Sequence, residues 1–268
     1  MSTLFFFRGF NTFHDDDLRF GPLNYGRAHQ HIERRFAESG FKMYAIPDVG
    51  RGSPSDQLVK SYQHLLDISR AHKIQGPIHF LGHSAGGVIA RGLAHHLDQN
   101  PISDIQLKSI TSIASPHRGA RIADMISNNK FNSPSLQKIL NLGIYKLEDK
   151  RSAFAPWTPE QLEVFNNTYF DLPHIRYASI ISGTAPRKLP LALQVVHSAL
   201  HDKNSLTDGI VELSSQPWGH VLGQFELDHG AVLGVRTTFL PHLHRKNQKE
   251  FANMLDKIIA HIRSIEYN

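Results

Sequence analysis

The segment Gly82-His83-Ser84-Ala85-Gly86 directly follows the apolar run Ile78-His79-Phe80-Leu81. A serine among small residues, between a strand and a helix, reads as a nucleophile elbow. Such a turn is tight and strained, and it lifts the hydroxyl off the sheet edge. Gly82, Ala85, Gly86 and Gly87 are small enough for strand and helix to pass closely. The stretch from Val88 to Ala94 is apolar and helix-like, as a helix packed on a sheet must be. The bland alternative is an ordinary glycine-rich loop without chemistry.

A serine hydroxyl is a weak nucleophile until an imidazole takes its proton, and a carboxylate must orient that imidazole. Behind an elbow serine, the acid and then the histidine follow in chain order. Asp208, in Thr207-Asp208-Gly209, and His229, in Asp228-His229-Gly230, are the candidates. His197, His201, His220, His242 and His244 compete for the role of base. Asp228 is a poor acid for His229, because adjacent side chains diverge; it suits support of a neighbouring loop. Taken alone, an Asp-Gly pair is a plain turn. Two main-chain N–H donors must hold the developing oxyanion. Ala85, next after the serine, supplies one, and Phe10 in Arg8-Gly9-Phe10 is the candidate for the other.

These residues need a frame. Thr3 to Arg8, Phe41 to Ile46, Ile78 to Gly82, Leu107 to Ser115 and Ile175 to Ser182 read as strands. Ala28 to Glu38 reads as a helix stopped at Gly40. Ser53 and Pro54 open another, with Leu58, Tyr62, Leu65, Leu66 and Ile68 near one face. The last helix runs from about Gln248 to Ile265 and buries Phe251, Leu255, Ile258, Ile259 and Ile262. Strands alternating with helices imply a mostly parallel sheet wrapped by helices. Functional groups of such sheets gather at the carboxyl ends of the strands. That rule puts Ser84 and the loop after Gly9 on one edge.

The chain has 268 residues, no linker-like tract and no repeat, so a single domain spanning 1–268 is expected. Without cysteine, disulfides, thiolate nucleophiles and zinc–thiolate sites are excluded. Net charge is +5, which reads as solubilising charge or as attraction to anionic lipid surfaces. No nucleic-acid motif accompanies the Lys and Arg residues. The 18 histidines add positive charge as pH falls below about 6.5. No stretch approaches the ~20 apolar residues of a membrane span. The start, Met1-Ser2-Thr3-Leu4-Phe5, has no basic leader. The expectation is a cytoplasmic protein, with export by another route or a removed leader as the alternative.

Taken together, Gly82 to Gly87, Ser115-Pro116-His117-Arg118-Gly119, Thr158-Pro159-Glu160-Gln161 leading to Phe165-Asn166, Asp208-Gly209-Ile210-Val211 and Asp228-His229 resemble bacterial family I triacylglycerol lipases. The resemblance implies an α/β-hydrolase fold: a mostly parallel central sheet flanked by helices, with a helical cap or lid insertion between Arg121 and about Asn167. It matches Ser84, Asp208 and His229 to that group's triad, and Phe10 and Ala85 to its oxyanion donors. It implies a serine esterase acting on acylglycerols or other lipid-like esters, without a cofactor, and with transient contact to a lipid surface. A thioesterase, a phospholipase A, an acyltransferase and a non-catalytic lipid-binding protein on the same scaffold are the rivals.

Departures from the group are informative. Arg8 stands where those lipases carry a histidine before the oxyanion glycine. Ala231 stands where they have a calcium-binding aspartate, so no calcium is expected. Ser214 stands where many have a disulfide cysteine. Within the insertion, Leu136, Ile139, Leu140, Gly143, Ile144 and Leu147 fall at helical spacing, as a mobile lid or a fixed cap would place them. Thr158 to Gln161 has capping-box form.

Overall fold

Strand β1 (Thr3–Phe7) is a run of apolar and β-branched residues, and all five are buried. That pattern requires a strand covered on both faces. Its alternate side chains divide between two cores: Phe5 and Phe7 face one, Leu4 and Phe6 the other. The computed structural model describes residues 2–9, 17–20, 23–27, 29–47, 53–128 and 150–267. The apolar face expected over Leu136 to Leu147 lies outside the described residues.

Among the described residues, the chain runs β1, β2 (Asp17–Phe20), β3 (Leu23–Arg27), α1 (Gln30–Glu38), β4 (Lys42–Ala45), α2 (Pro54–His72), β5 (Gly76–His83), α3 (Ala85–Gln99) and β6 (Ile105–Ile113). There follow α4 (Arg121–Ser127), α5 (Lys150–Phe154), α6 (Pro159–Thr168), β7 (Arg176–Ser182), α7 (Leu191–Leu200), β8 (His220–Phe225) and α8 (Pro241–Glu266). Six strands form one sheet in the order β4-β1-β5-β6-β7-β8, and every neighbouring pair is parallel. β2 and β3 form a separate antiparallel pair.

Helices α1 and α8 cover one face, through Ile32, Phe36, Leu255, Ile258 and Ile262. Helices α2 and α3 cover the other, with the base of the insertion outside them: Ala123, Phe154, Trp157, Leu162 and Phe165 join Leu58, Val88 and Leu93. Fully burying a Phe or Leu contributes roughly 1.5–3 kcal/mol, so the two layers clamp the sheet firmly. Strand order reverses between β1 and β5. The chain goes from β1 to β4 on one side and then returns to β5 on the other. A crevice opens at such a switch point, beyond the carboxyl ends of the strands. Gly9 and Ser84 leave the sheet there.

Local signals explain the helix ends. Ser53 accepts from the Asp56 N–H while Asp56 accepts from the Ser53 N–H, a reciprocal box with Pro54 in the first turn. Thr158 caps α6 by accepting from Gln161 N–H at 3.4 Å.

Several details differ from the sequence expectation. The buried stripe of α2 runs through Gln57, Leu58, Ser61, Leu65 and Ser69, while Leu66 and Ile68 are half-buried. Small hydroxyl residues let α2 approach α3, which is buried along most of its length. Helix α8 starts at Pro241, two turns before the apolar stripe begins, since those turns face outward with Arg, Lys and His. Strand β8, helix α7 and the β2–β3 pair carry no strong period. Among the described residues no helix is long and apolar enough to cross a membrane.

Candidate active site

Ser84 sits between β5 and α3 with φ 54° and ψ −131°, backbone angles that a residue with a side chain rarely adopts. Tight packing holds it there. Its N–H donates to the Ile113 carbonyl of the neighbouring strand at 2.9 Å, and its carbonyl accepts from Gly87 N–H at 3.1 Å. A Cβ on Gly86 would lie 2.2 Å from the Phe7 carbonyl oxygen, so only glycine lets α3 start this close to β1. A Cβ on Gly9 would lie 2.9 Å from Ser84 Cβ. The exit of β1 therefore passes directly against the serine.

His229 Nε2 lies 3.0 Å from Ser84 Oγ. On the other side of the ring, Nδ1 lies 2.7 Å from Asp208 Oδ2. The carboxylate only accepts, so Nδ1 carries the proton and Nε2 is the acceptor for the serine hydroxyl. Asp208 is fully buried. Its other oxygen accepts from Ile210 N–H at 2.8 Å and Val211 N–H at 2.7 Å. Gly209 makes that turn with φ 97°. Asp208 holds the histidine a second time, because its carbonyl accepts from His229 N–H at 2.8 Å. Three side chains distant in sequence are thus joined in one hydrogen-bonded series at the carboxyl edge of the sheet.

The neighbours of His229 complete the support. Asp228 is buried and accepts from Gly230 and Ala231 N–H, both at 3.0 Å, and from the Thr237 hydroxyl at 2.5 Å. Burial pushes its carboxyl pKa up, against these bonds. It braces the loop rather than the imidazole. His83 lies on the far side of His229 and donates to its carbonyl at 3.2 Å. Burial, and then the nearness of His229, holds the His83 imidazole well below its ordinary pKa.

The competing histidines serve elsewhere. His197 bonds the Ser205 carbonyl at 2.8 Å, His201 faces Glu212 at 3.4 Å, and His220 stacks loosely on His261. His242 and His244 stand in the first turn of α8.

Ala85 is the first residue of α3, so its N–H has no intrahelical acceptor and lies beside the serine. Phe10, the second expected donor, lies outside the described residues. Arg8 Nε donates to the Ile46 carbonyl at 3.2 Å, which ties the exit of β1 to the exit of β4. Among the described residues no three His, Asp or Glu side chains are grouped as a metal site would require.

Sequence reasoning missed Arg91. It is almost fully buried on α3, with its guanidinium 3.3 Å from the Trp218 ring centroid. It donates to Asn166 Oδ1 at 3.0 Å and to the Tyr169 carbonyl at 3.3 Å, beside His117 Nδ1 at 3.3 Å. His117 in turn bonds Ser112 Oγ at 2.8 Å. Burial lowers the Arg91 pKa to about 10 and depresses that of His117. This network fastens the base of the insertion to the sheet. A lone Arg in a helical apolar run carried no signal of it beyond being out of place.

Comparison with known proteins adds relatives. Triacylglycerol lipase 2 of Saccharomyces cerevisiae is 25% identical over 184 residues, covering 66% of this chain and 51% of its own. A lipase of Staphylococcus hyicus is 25% identical over 179 residues, covering 50% of this chain and 27% of its own. The chain thus spans about half or less of the curated relatives it matches. The crystal structure of Staphylococcus hyicus lipase superposes with a TM-score of 0.66 at 16% identity, over 99% of this chain and 96% of that one. A metagenomic carboxyl esterase superposes with the same TM-score of 0.66 at 18% identity, over 99% of this chain and 75% of that one. These likenesses establish the α/β-hydrolase fold. The model of the thioesterase-domain family matches residues 24–221, well over half of the chain, from within β3 into β8, and the chain therefore belongs to the thioesterase-domain family.

Proposed function

We propose that this chain is a serine carboxylic ester hydrolase acting on acylglycerols or other lipid-like esters. One observation carries the reading: Asp208, His229 and Ser84 form an unbroken hydrogen-bonded series ending on a strained elbow serine. The relatives, two lipases and a carboxyl esterase, support the same class, and the motif resemblance to family I lipases points to lipid esters.

In this mechanism Ser84 Oγ attacks the ester carbonyl carbon as His229 Nε2 takes its proton. Asp208 stabilises the resulting imidazolium. The Ala85 N–H holds the oxyanion, and the Phe10 N–H, assigned from the sequence, is the second donor. The C–O bond to the alcohol then breaks, and His229 returns its proton to the leaving oxygen. Water repeats the cycle on the acyl-enzyme: it gives a proton to His229, attacks the acyl carbon and releases the acid and Ser84. No cofactor takes part.

Family membership favours one further reading, in which a thiol ester replaces the oxygen ester and the leaving group is a thiolate. A fluorophosphonate probe should label wild type and not Ser84→Ala. p-Nitrophenyl esters of increasing chain length, emulsified triacylglycerol and an acyl thioester then separate the substrate classes. A folded wild type that resists the probe and turns over no ester would end the proposal and favour a binding protein on a hydrolase scaffold.

A further inference from the structure

Pro241 suits the first position of α8, but the residues around it do not favour a helix start. Its N-cap position holds Leu240, which has no side-chain acceptor for the free N–H groups. Its first turns carry no acid, and they hold His242, His244, Arg245 and Lys246, with Lys249 just beyond. Cations at the N-terminal end oppose the helix dipole. Just before it, Phe239 is 86% exposed and Leu240 is 52% exposed. Local rules broken together in one place, without a packing gain, mark a surface kept for something else.

The segment is held in shape. The Arg236 guanidinium donates to the carbonyls of Thr238 at 3.1 Å and Phe239 at 3.3 Å, so a cation sits directly beside the aromatic tip. Thr237 is hydrogen-bonded to Asp228, the neighbour of His229, which places this tip on the rim that carries Ser84. A cleft lined by Thr184, Lys188, Glu226, Asp228, Leu243 and Lys246 lies between the start of α8 and the segment that leads into α7. There Leu191 is 80% exposed, close behind Arg187. The acids nearby are Glu226, bonded to both Lys188 and Lys246, the buried Asp228, bonded to Thr237, and Glu250; they are fewer than the cations, so the rim stays positive.

We propose that this rim docks on an anionic lipid surface. Phe239 and Leu240 enter the headgroup boundary, while Arg236, Arg245 and Lys249 face the anionic headgroups. Charge decides the occupant. A second copy of the chain would bring the same positive rim and be repelled, whereas an anionic surface is complementary. Apolar insertion and cationic attraction add in interfacial binding. Each cation near such a surface contributes about a fivefold gain in partitioning. Docking here sets the proposed ester site against a lipid source. The inference rests on that reading only for the substrate, since docking is measured without turnover.

Co-sedimentation with vesicles of equimolar phosphatidylcholine and phosphatidylglycerol tests it. Wild type should pellet with these vesicles, stay largely in solution with phosphatidylcholine alone, and be released by salt. Phe239→Ser with Leu240→Ser should weaken pelleting by roughly tenfold or more. Arg245→Gln with Lys249→Gln, on the exposed surface of α8 and so without effect on folding, should weaken it by at least about tenfold. Both variants should hydrolyse a soluble short-chain ester as wild type does if the ester reading holds. A wild type that never pellets, one that pellets equally on neutral vesicles, or a charge variant that pellets unchanged overturns the proposal.

Discussion

The His83 ring donates to the main-chain carbonyl of His229 at 3.2 Å, and the two imidazoles lie 4.8 Å apart, tilted by 45°. The residue just before the serine thus holds the backbone of the histidine that is hydrogen-bonded to it. Asp208 fixes the ring of His229 and its N–H, and His83 fixes its carbonyl.

His83→Leu should therefore lower kcat by about tenfold, the loss of one buried hydrogen bond of ~1.4 kcal/mol, with KM little changed. His83→Gln keeps an N–H donor and should recover most of the loss. Steady-state kinetics on a soluble ester, with thermal melts as a folding control, make the comparison. Equal loss in both variants would point to packing rather than to the carbonyl contact.

Asp208→Asn should leave the fold intact, because Asn Oδ1 still accepts from Ile210 and Val211. The amide would present an N–H to His229 Nδ1, and the proton would move to Nε2, which faces Ser84. The imidazole then cannot take the serine proton. A fall in kcat of about 10⁴ is expected on the proposed mechanism. Probe-labelling rates at Ser84 measure it directly, and a loss below tenfold would exclude Asp208 as the orienting acid.

Acid should destabilise the fold well before carboxylates titrate. His79, His83, His117, His201 and His261 are all depressed by burial, His201 to about 4. Folded pKa values below the unfolded 6.5 mean that the unfolded chain binds more protons as pH falls. Stability should thus decline from pH 6.5 downward, continuing to about 4 for His201. Asp228 and Glu212, raised by burial, have the opposite sign, but they are fewer and their window starts from ordinary carboxylate values. Melting temperatures between pH 7.5 and 5 should drop steadily, and a flat profile would contradict the burial of these rings.

Arg91→Ala should destabilise by about 3–5 kcal/mol. It opens a cavity against Trp218 and leaves the Asn166 and Tyr169 oxygens without their donor. Arg91→Lys should recover little, since an ammonium cannot both stack on the indole and reach two acceptors. Urea unfolding of the two variants decides. A lysine variant of wild-type stability would show that charge alone matters there.

How much of this could be read from the chain depends on the range of each interaction. The elbow was legible because its requirements are local: an apolar strand, small residues around Ser84 and an apolar helix within a few positions. The same holds for the Ser53 cap, the strand–helix alternation behind the parallel sheet and the apolar stripe of α8. The start of α8 was not legible, since its outward-facing turns carry no hydrophobic period. On α2 the apolar spacing finds Leu58 and Leu65 but not Ser61 and Ser69, because close helix approach favours small side chains that carry no hydrophobic signal.

Tertiary structure decided which distant groups meet. Spacing along the chain selected Asp208 and His229 as candidates among several acids and histidines, but only packing brings Nε2 within 3.0 Å of the serine. Only packing buries Arg91 against Trp218, bonds His83 to the carbonyl of His229, and leaves Phe239 exposed beside the Arg236 guanidinium. The physical reason is the same in each case. Local propensity acts within a turn or a strand, whereas desolvation, hydrogen-bond geometry and surface charge depend on neighbours contributed by remote parts of the chain.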